Sequence, residues 1–145
     1  MSTLERAIEI AASAHAGQTD KAGQPYVLHP LRVMLSVSSE DERIAAVLHD
    51  VVEDTSWTID MLRREGFSDK VLEAVDALTK RDDESRIDAA QRVARNPVAR
   101  RVKLADVTDN MDLSRISDPQ ESDYARMEEY KAVKKLLVSL VVRRQ

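Results

Sequence analysis

Apolar residues recur at three- and four-residue spacing along nearly the whole chain, and no stretch alternates apolar with polar as a half-buried strand does. Leu4, Ala7, Ile8, Ala11 and Ala12 make one face of a helix over about residues 4–16, which Ser2 or Thr3 is placed to cap. "GQTDKAGQPYVLHP" interrupts the pattern with two glycines and a proline, and Pro30 suits the first turn of a second helix running to about Val37. Ser38–Asp41 is a polar break, with Asp41 as the expected cap of a third helix that carries "AAVLHDVVEDT", residues 45–55. Thr58 starts a short helix ending near Gly66, and Ser68 caps another over "SDKVLEAVDALTK". The charged "RDDESR" reads as exposed, and a helix over about 84–95 ends at Asn96-Pro97. "VARRVKLADVTDNMDL" repeats Val98, Val102, Ala105 and Asp109 at helical spacing. After the loop "SRISDPQES", Tyr130, Val133, Leu137, Leu140 and Val141 form the apolar line of a last helix, with Tyr124, Met127, Lys131, Lys134 and Val138 along another. The pattern predicts an all-α protein, a helical bundle of about seven or eight helices in one domain over residues 1–145.

Composition sharpens this picture in three places. Hydrophobic residues are 43% of the chain but aromatics only 3%, so the core is built from Ala, Val, Leu, Ile and Met. There is no cysteine, which excludes a disulfide framework and a thiolate metal site; any metal here takes His and carboxylate ligands. The formal charge of −4 provides no broad basic field for nonspecific binding to duplex nucleic acid. The N-terminus, "MSTLERAIEIAASAH", lacks a signal-peptide core, and no apolar run reaches the roughly 18–20 residues of a membrane span. A soluble, cytoplasmic protein that does not engage membranes is the expectation.

The stretch "AAVLHDVVEDT" poses the chemical question. Its first half is core-like, yet His49, Asp50, Glu53 and Asp54 follow directly, and burying unpaired charges costs several kcal/mol each, roughly. His29 stands at a loop-to-helix junction, and Asp106 and Asn110 lie four apart on one helical face. Two imidazoles and two carboxylates from three segments suit a divalent ion such as manganese, iron or zinc, with two octahedral positions left for water and substrate. Such an ion would neutralise the acids. Spacing alone leaves the other reading open: hydrogen-bonded core histidines, a polar helix end at Glu53 and Asp54, and ion pairs of Asp106 and Asp109 with Arg100, Arg101 or Lys103. Lys80, Arg81, Lys103, Lys131 and Lys134 read first as solvated surface and only second as phosphate contacts.

"HAGQTDKAGQPYVLHP", "AAVLHDVVEDT", "LTK" and "VKLADVTDNMD", in this order, resemble the hydrolase module of the RelA/SpoT alarmone enzymes, and most of all its small stand-alone HD-domain relatives. The resemblance runs from about Leu4 to Asp112. It implies an all-helical, manganese-dependent pyrophosphohydrolase that removes the 3′-pyrophosphate of guanosine tetra- or pentaphosphate. It implies metal ligands His29, His49, Asp50 and Asp106, with Glu53 and Asp54 orienting or deprotonating the attacking water. Asn110 would position substrate or water, and Lys21 would reach a phosphate or the nucleotide. His15 opens the "HxGQ" turn and is expected to bond the loop rather than a metal, while Tyr26 either lines the pocket or ties the loop down.

Three features depart from the family pattern. Asp20-Lys21 stands where Arg-Lys is usual, and an acid there repels phosphates. Val107-Thr108-Asp109-Asn110 replaces "RLHN", and "DDESRIDAA" lacks an expected tyrosine. Asp20 motivates an alternative in which another phosphorylated nucleotide or cofactor is the substrate. A second alternative is a catalytically retired, metal-containing nucleotide-sensing module, against which Glu53 and Asp54 argue. The chain has no room for a synthetase domain, and a homodimer is compatible with it.

Overall fold

Thr3 opens α1 (Leu4–Ala14) by accepting the Arg6 amide on its hydroxyl at 3.1 Å. There follow α2 (Leu28–Leu35), α3 (Glu40–Leu48), α4 (Val51–Asp54), α5 (Ile59–Arg64), α6 (Asp69–Leu78), α7 (Arg86–Val93), α8 (Pro97–Asn110), a single 3₁₀ turn at Leu113–Arg115 and α9 (Glu121–Arg143). This computed structural model describes residues 1–143, and side chains as far as Ser139; those of Leu140 and Val141, predicted on the apolar line, lie outside the described residues. Among the described residues there is no strand, only an isolated antiparallel bridge between Thr19 and Pro25. The all-α expectation holds, with eight helices if α3 and α4 count as one interrupted rod.

That interruption is the main departure from the predicted elements. The sequence suggests one helix through Asp54, but the rod breaks at His49-Asp50. The His49 imidazole turns back on the Ala46 carbonyl at 2.5 Å, and the His49 amide reaches the same carbonyl at 3.4 Å. The ladder tightens there and resumes when the Asp54 amide bonds the Asp50 carbonyl at 2.9 Å. The predicted cap is also corrected. Ser39, with extended backbone, accepts the Glu42 amide at 3.1 Å; Asp41 falls inside the first turn, its carboxylate 3.6 Å from Lys70. Thr58 and Ser68 cap α5 and α6 as expected, and Ser85 caps α7. Asn96 caps α8 with Pro97 in its first turn.

The core is arranged around α3. Ala45, Ala46, Val47 and Leu48 have no exposed surface, and α1, α2, α6 and α8 all touch this helix. Three small residues let four neighbours approach closely, and complete burial of a side chain such as Leu48 contributes about 1.5–3 kcal/mol. Val133 and Leu137 of α9 are buried where that helix crosses α7 and α8. Phe67 is buried, and Trp57 packs on the same core. No helix among the described residues is long and apolar enough to cross a membrane.

Candidate metal centre and active site

Three elements deliver the site. The first turn of α2 brings His29, the α3–α4 break brings His49 and Asp50, and the last turns of α8 bring Asp106, Asp109 and Asn110. His29, His49 and Asp106 are buried, and one ligand atom from each lies within 4.8 Å of the others. Nε2 of His29 is 2.8 Å from Oδ1 of Asp106 and 3.8 Å from Oδ2 of Asp50. Nε2 of His49 is 3.1 Å from Oδ2 of Asp50 and 3.4 Å from Oδ1 of Asp106. The four residues expected as ligands are therefore brought together.

The outer nitrogens explain the orientation of both rings. Nδ1 of His49 donates to the Ala46 carbonyl, and Nδ1 of His29 donates to Oδ2 of Asp109 at 2.6 Å. With each Nδ1 so engaged, each Nε2 is turned to the cluster, as second-sphere partners do for metal-ligating imidazoles. Nε2 of His49 is buried and makes no directed hydrogen bond, a cost that a cation at the cluster would remove. Two imidazoles and two carboxylates with no thiolate are a donor set suited to a divalent ion.

The acids have their own partners. Oδ2 of Asp106 accepts from Nζ of Lys103 at 2.9 Å, and Oδ1 accepts from Nδ2 of Asn110 at 3.2 Å. Oδ2 of Asp50 accepts the Tyr26 hydroxyl at 2.5 Å. Asp109 also takes a bidentate pair from Arg32, at 2.8 and 3.0 Å.

These contacts shift the titration of each member of the cluster. Burial alone would lower both imidazoles, but the hydrogen bonds of Asp106 and Asp109 raise His29, and the charges of Asp50 and Asp106 raise His49 well above the ordinary value. Burial would raise the carboxyls, yet Asp50 is lowered by His49, and Asp106 is held well down by Lys103 and His49. Asp109 is lowered against burial by His29 and Arg32. Lys103 is raised, chiefly by Asp106.

Glu53 and Asp54 follow one turn beyond Asp50, exposed at the rim. Partial loss of water raises both carboxyls, with the Asp50 charge adding to it. Oε2 of Glu53 accepts the Lys80 amide at 3.3 Å, and the Gln18 amide group reaches the Asp54 carbonyl at 3.5 Å. His15 bonds Gln18 at 2.9 Å, and its ring lies 5.0 Å from that of Tyr26, so the "HxGQ" turn braces the residue that holds Asp50.

A cavity of about 440 Å³ opens beside His29, Asp109 and Asn110. Lys21 lines it together with Arg126; burial and the Arg126 charge lower its ammonium. Asp20 also faces this cavity, but its Oδ1 accepts the Ala22 and Gln24 amides, each at 2.9 Å, so the acid builds the loop. Lys103 is not the solvated cation the sequence suggests, and Asp109 pairs with Arg32 and Arg115 rather than with Arg100, Arg101 or Lys103. Asp109 and Lys103 are the site residues that sequence reasoning missed as such, whereas Tyr26, expected to line the pocket or tie the loop down, lines the cavity and holds Asp50. The three-residue steps from Lys103 to Asp106 and from Asp106 to Asp109 on one helix were the available signal.

Residues 7–142 match the family described as HD domain. The chain is 37% identical to a protein of Mycobacterium leprae named probable GTP pyrophosphokinase, over 83% of this chain and 17% of that one. It is 38% identical to a guanosine-3′,5′-bis(diphosphate) 3′-pyrophosphohydrolase of Aquifex aeolicus, over 53% of this chain and 12% of that one. The chain thus spans less than a fifth of the length of these curated relatives. Among solved structures, a metazoan ortholog of SpoT, described as hydrolysing ppGpp, is similar with a TM-score of 0.76 at 25% identity, over 97% of this chain and 85% of that one.

Proposed function

This chain belongs to the HD-domain family, and on that footing we propose that it is a metal-dependent phosphohydrolase that removes the 3′-pyrophosphate of guanosine tetra- or pentaphosphate. The observation that carries the reading is the pair of imidazoles whose Nδ1 atoms are engaged elsewhere, so that both Nε2 atoms and the Asp50 and Asp106 oxygens converge. His29, His49, Asp50 and Asp106 would hold a divalent ion, with manganese the proposed metal. When bound, the ion supplies Lewis acidity that activates water and offsets phosphoryl charge.

The chain's own groups do the rest. Asp109 fixes the His29 ring, and Lys103 occupies the second oxygen of Asp106 so that the first faces the cluster. Glu53 or Asp54, with carboxyls raised above their ordinary values, takes the proton of the attacking water and returns it to the departing 3′-oxygen. Water oxygen bonds to phosphorus as the ester P–O bond breaks, giving a 3′-hydroxyl and pyrophosphate. Asn110 orients substrate or water, and Lys21 meets a phosphate across the cavity.

One observation favours a second reading, another phosphorylated nucleotide or cofactor as substrate. Among the described residues, Asp20, Asp109, Asp112 and Asp123 on the cavity wall match Lys21, Arg32, Arg115 and Arg126 in number. Such a wall gives a polyanion no net attraction beyond that of the metal.

The test is incubation of manganese-loaded protein with guanosine tetraphosphate and chromatographic detection of GDP and pyrophosphate. Release above a metal-free control is expected; none, from protein carrying stoichiometric metal, transfers the assignment to the second reading. Asp50→Ala should lose metal and activity together, whereas Glu53→Gln should keep the metal and slow turnover about 10²-fold.

A further inference from the structure

The motif Leu78-Thr79-Lys80 and the charged run after it have so far no part in the chemistry. The structure joins them. The Arg92 side chain of α7 crosses to the end of α6 and donates to the Ala77 carbonyl at 3.2 and 3.3 Å and to the Thr79 carbonyl at 3.0 Å. It also pairs with Oε2 of Glu84, whose Oε1 accepts the Arg81 amide at 2.8 Å. The Arg81 guanidinium returns to the Asp76 carbonyl at 2.7 Å and to the Thr79 carbonyl. Two arginines thus satisfy carbonyls at the α6 C-terminus, and Glu84 ties the following segment to the same clasp.

Capping α6 needs only the contacts to its carbonyls. The contacts that reach past it, from Arg92 to Thr79 and from Glu84 to the Arg81 amide, bracket Lys80 on both sides. The Lys80 amide is the group that donates to Oε2 of Glu53, from 27 residues away. Among the described residues this is the hydrogen bond given to the Glu53 carboxylate. Glu53 sits in α4, a single turn of four residues, too short to hold its own geometry by an internal ladder.

We propose that Arg92 and Glu84 are positioning residues: by clamping the segment Thr79–Arg81 they fix the Lys80 amide, which aims the Glu53 carboxylate at the reacting water. The proposal rests on the reading of Glu53 as the proton-handling acid. The segment called exposed surface from its charge is, at Arg81 and Glu84, a built support for α4.

The test is a kinetic cycle on the manganese-loaded full chain with guanosine tetraphosphate as probe. Arg92→Met should lower kcat about 10-fold or more, leave KM and metal content unchanged, and have no further effect in a Glu53→Gln background. Arg92→Lys should recover part of the loss. A normal kcat for Arg92→Met, or a full further loss in the Glu53→Gln background, overturns the clasp while leaving Glu53 in place; an unchanged kcat for Glu53→Gln instead removes the reading beneath it. Glu84→Gln gives a milder version should Arg92→Met not fold. Amide hydrogen exchange needs no activity: in either variant Lys80 should exchange at least about 10-fold faster while α1 and α3 stay protected. Unchanged exchange at Lys80 also overturns the proposal.

Discussion

Asp109 grips His29 by the edge of the ring that faces away from the cluster, its Oδ2 accepting the Nδ1 proton at 2.6 Å. Arg32 secures Asp109 in turn from the next turn of α2. Asp109→Ala should therefore release the imidazole without touching any proposed ligand. Metal affinity should fall about 10- to 100-fold, read by competition with a chromophoric chelator. Asp109→Asn retains an acceptor for the Nδ1 proton and should lose less.

Stability should depend on pH differently in the presence and absence of metal, level above 6.5 with the ion and falling there without it. Without metal, His29 and His49 titrate above their ordinary value of 6.5, so their contribution is complete below 6.5 and is lost as pH rises through the raised values. Asp50 and Asp106 titrate below their ordinary value of 3.8, so their contribution is complete above 3.8 and is lost only in acid. With saturating metal the folded imidazoles are held neutral, so stability rises with pH only as far as about the ordinary value of 6.5, where the unfolded imidazoles lose their protons, and is level above it. Thermal unfolding between pH 6 and 8, with manganese and with a chelator, reads both slopes. Parallel curves would exclude the histidines as ligands.

Asp20 serves its loop as an acceptor and the cavity as a negative charge, and these two roles are separable. Asp20→Asn keeps the acceptor and removes the charge. KM for a polyanionic nucleotide should fall about fivefold, equivalent to ~1 kcal/mol, with kcat unchanged. Asp20→Arg forfeits both backbone hydrogen bonds and should do no better than Asn in a steady-state comparison.

Ser39, not Asp41, caps the central helix. Ser39→Ala should cost about 1 kcal/mol, or about 3 °C in Tm. Asp41→Ala removes a first-turn acid and a surface pair with Lys70, and should cost no more than about half as much. Calorimetric melts of the two variants decide the point.

The helices were legible because each buries a stripe that repeats at helical spacing, as Ala7, Ile10 and Ala11 do on α1. His29, His49, Asp50 and Asp106 stood out because polar groups interrupt otherwise apolar runs, and the family resemblance joined them into one set. Their support was not legible. Two partners of Asp109, Arg32 and His29, stand on α2, 77 and 80 residues away, and periodicity within one helix carries no information about them. The break after Leu48 was hidden because Val51 and Val52 continue the apolar rhythm, while at the break the His49 ring bonds the Ala46 carbonyl. Charge likewise hid the clasp, since Arg81, Glu84 and Arg92 resemble solvent-facing residues until the turn of the chain brings them together.

Ala45 to Leu48, a run without exposed surface, leads directly into His49, which presents a ring nitrogen to the cluster. The adjoining cavity is lined partly by two surface connections, Thr19–Ala22 and Asp112–Ile116, and partly by α2, α8 and α9. The proposed chemistry is therefore anchored where almost any replacement disturbs the interior, whereas part of the cavity that would receive the substrate lies on connections outside it. A library confined to those two loops could retarget the protein to new phosphorylated compounds while leaving its reactive apparatus intact.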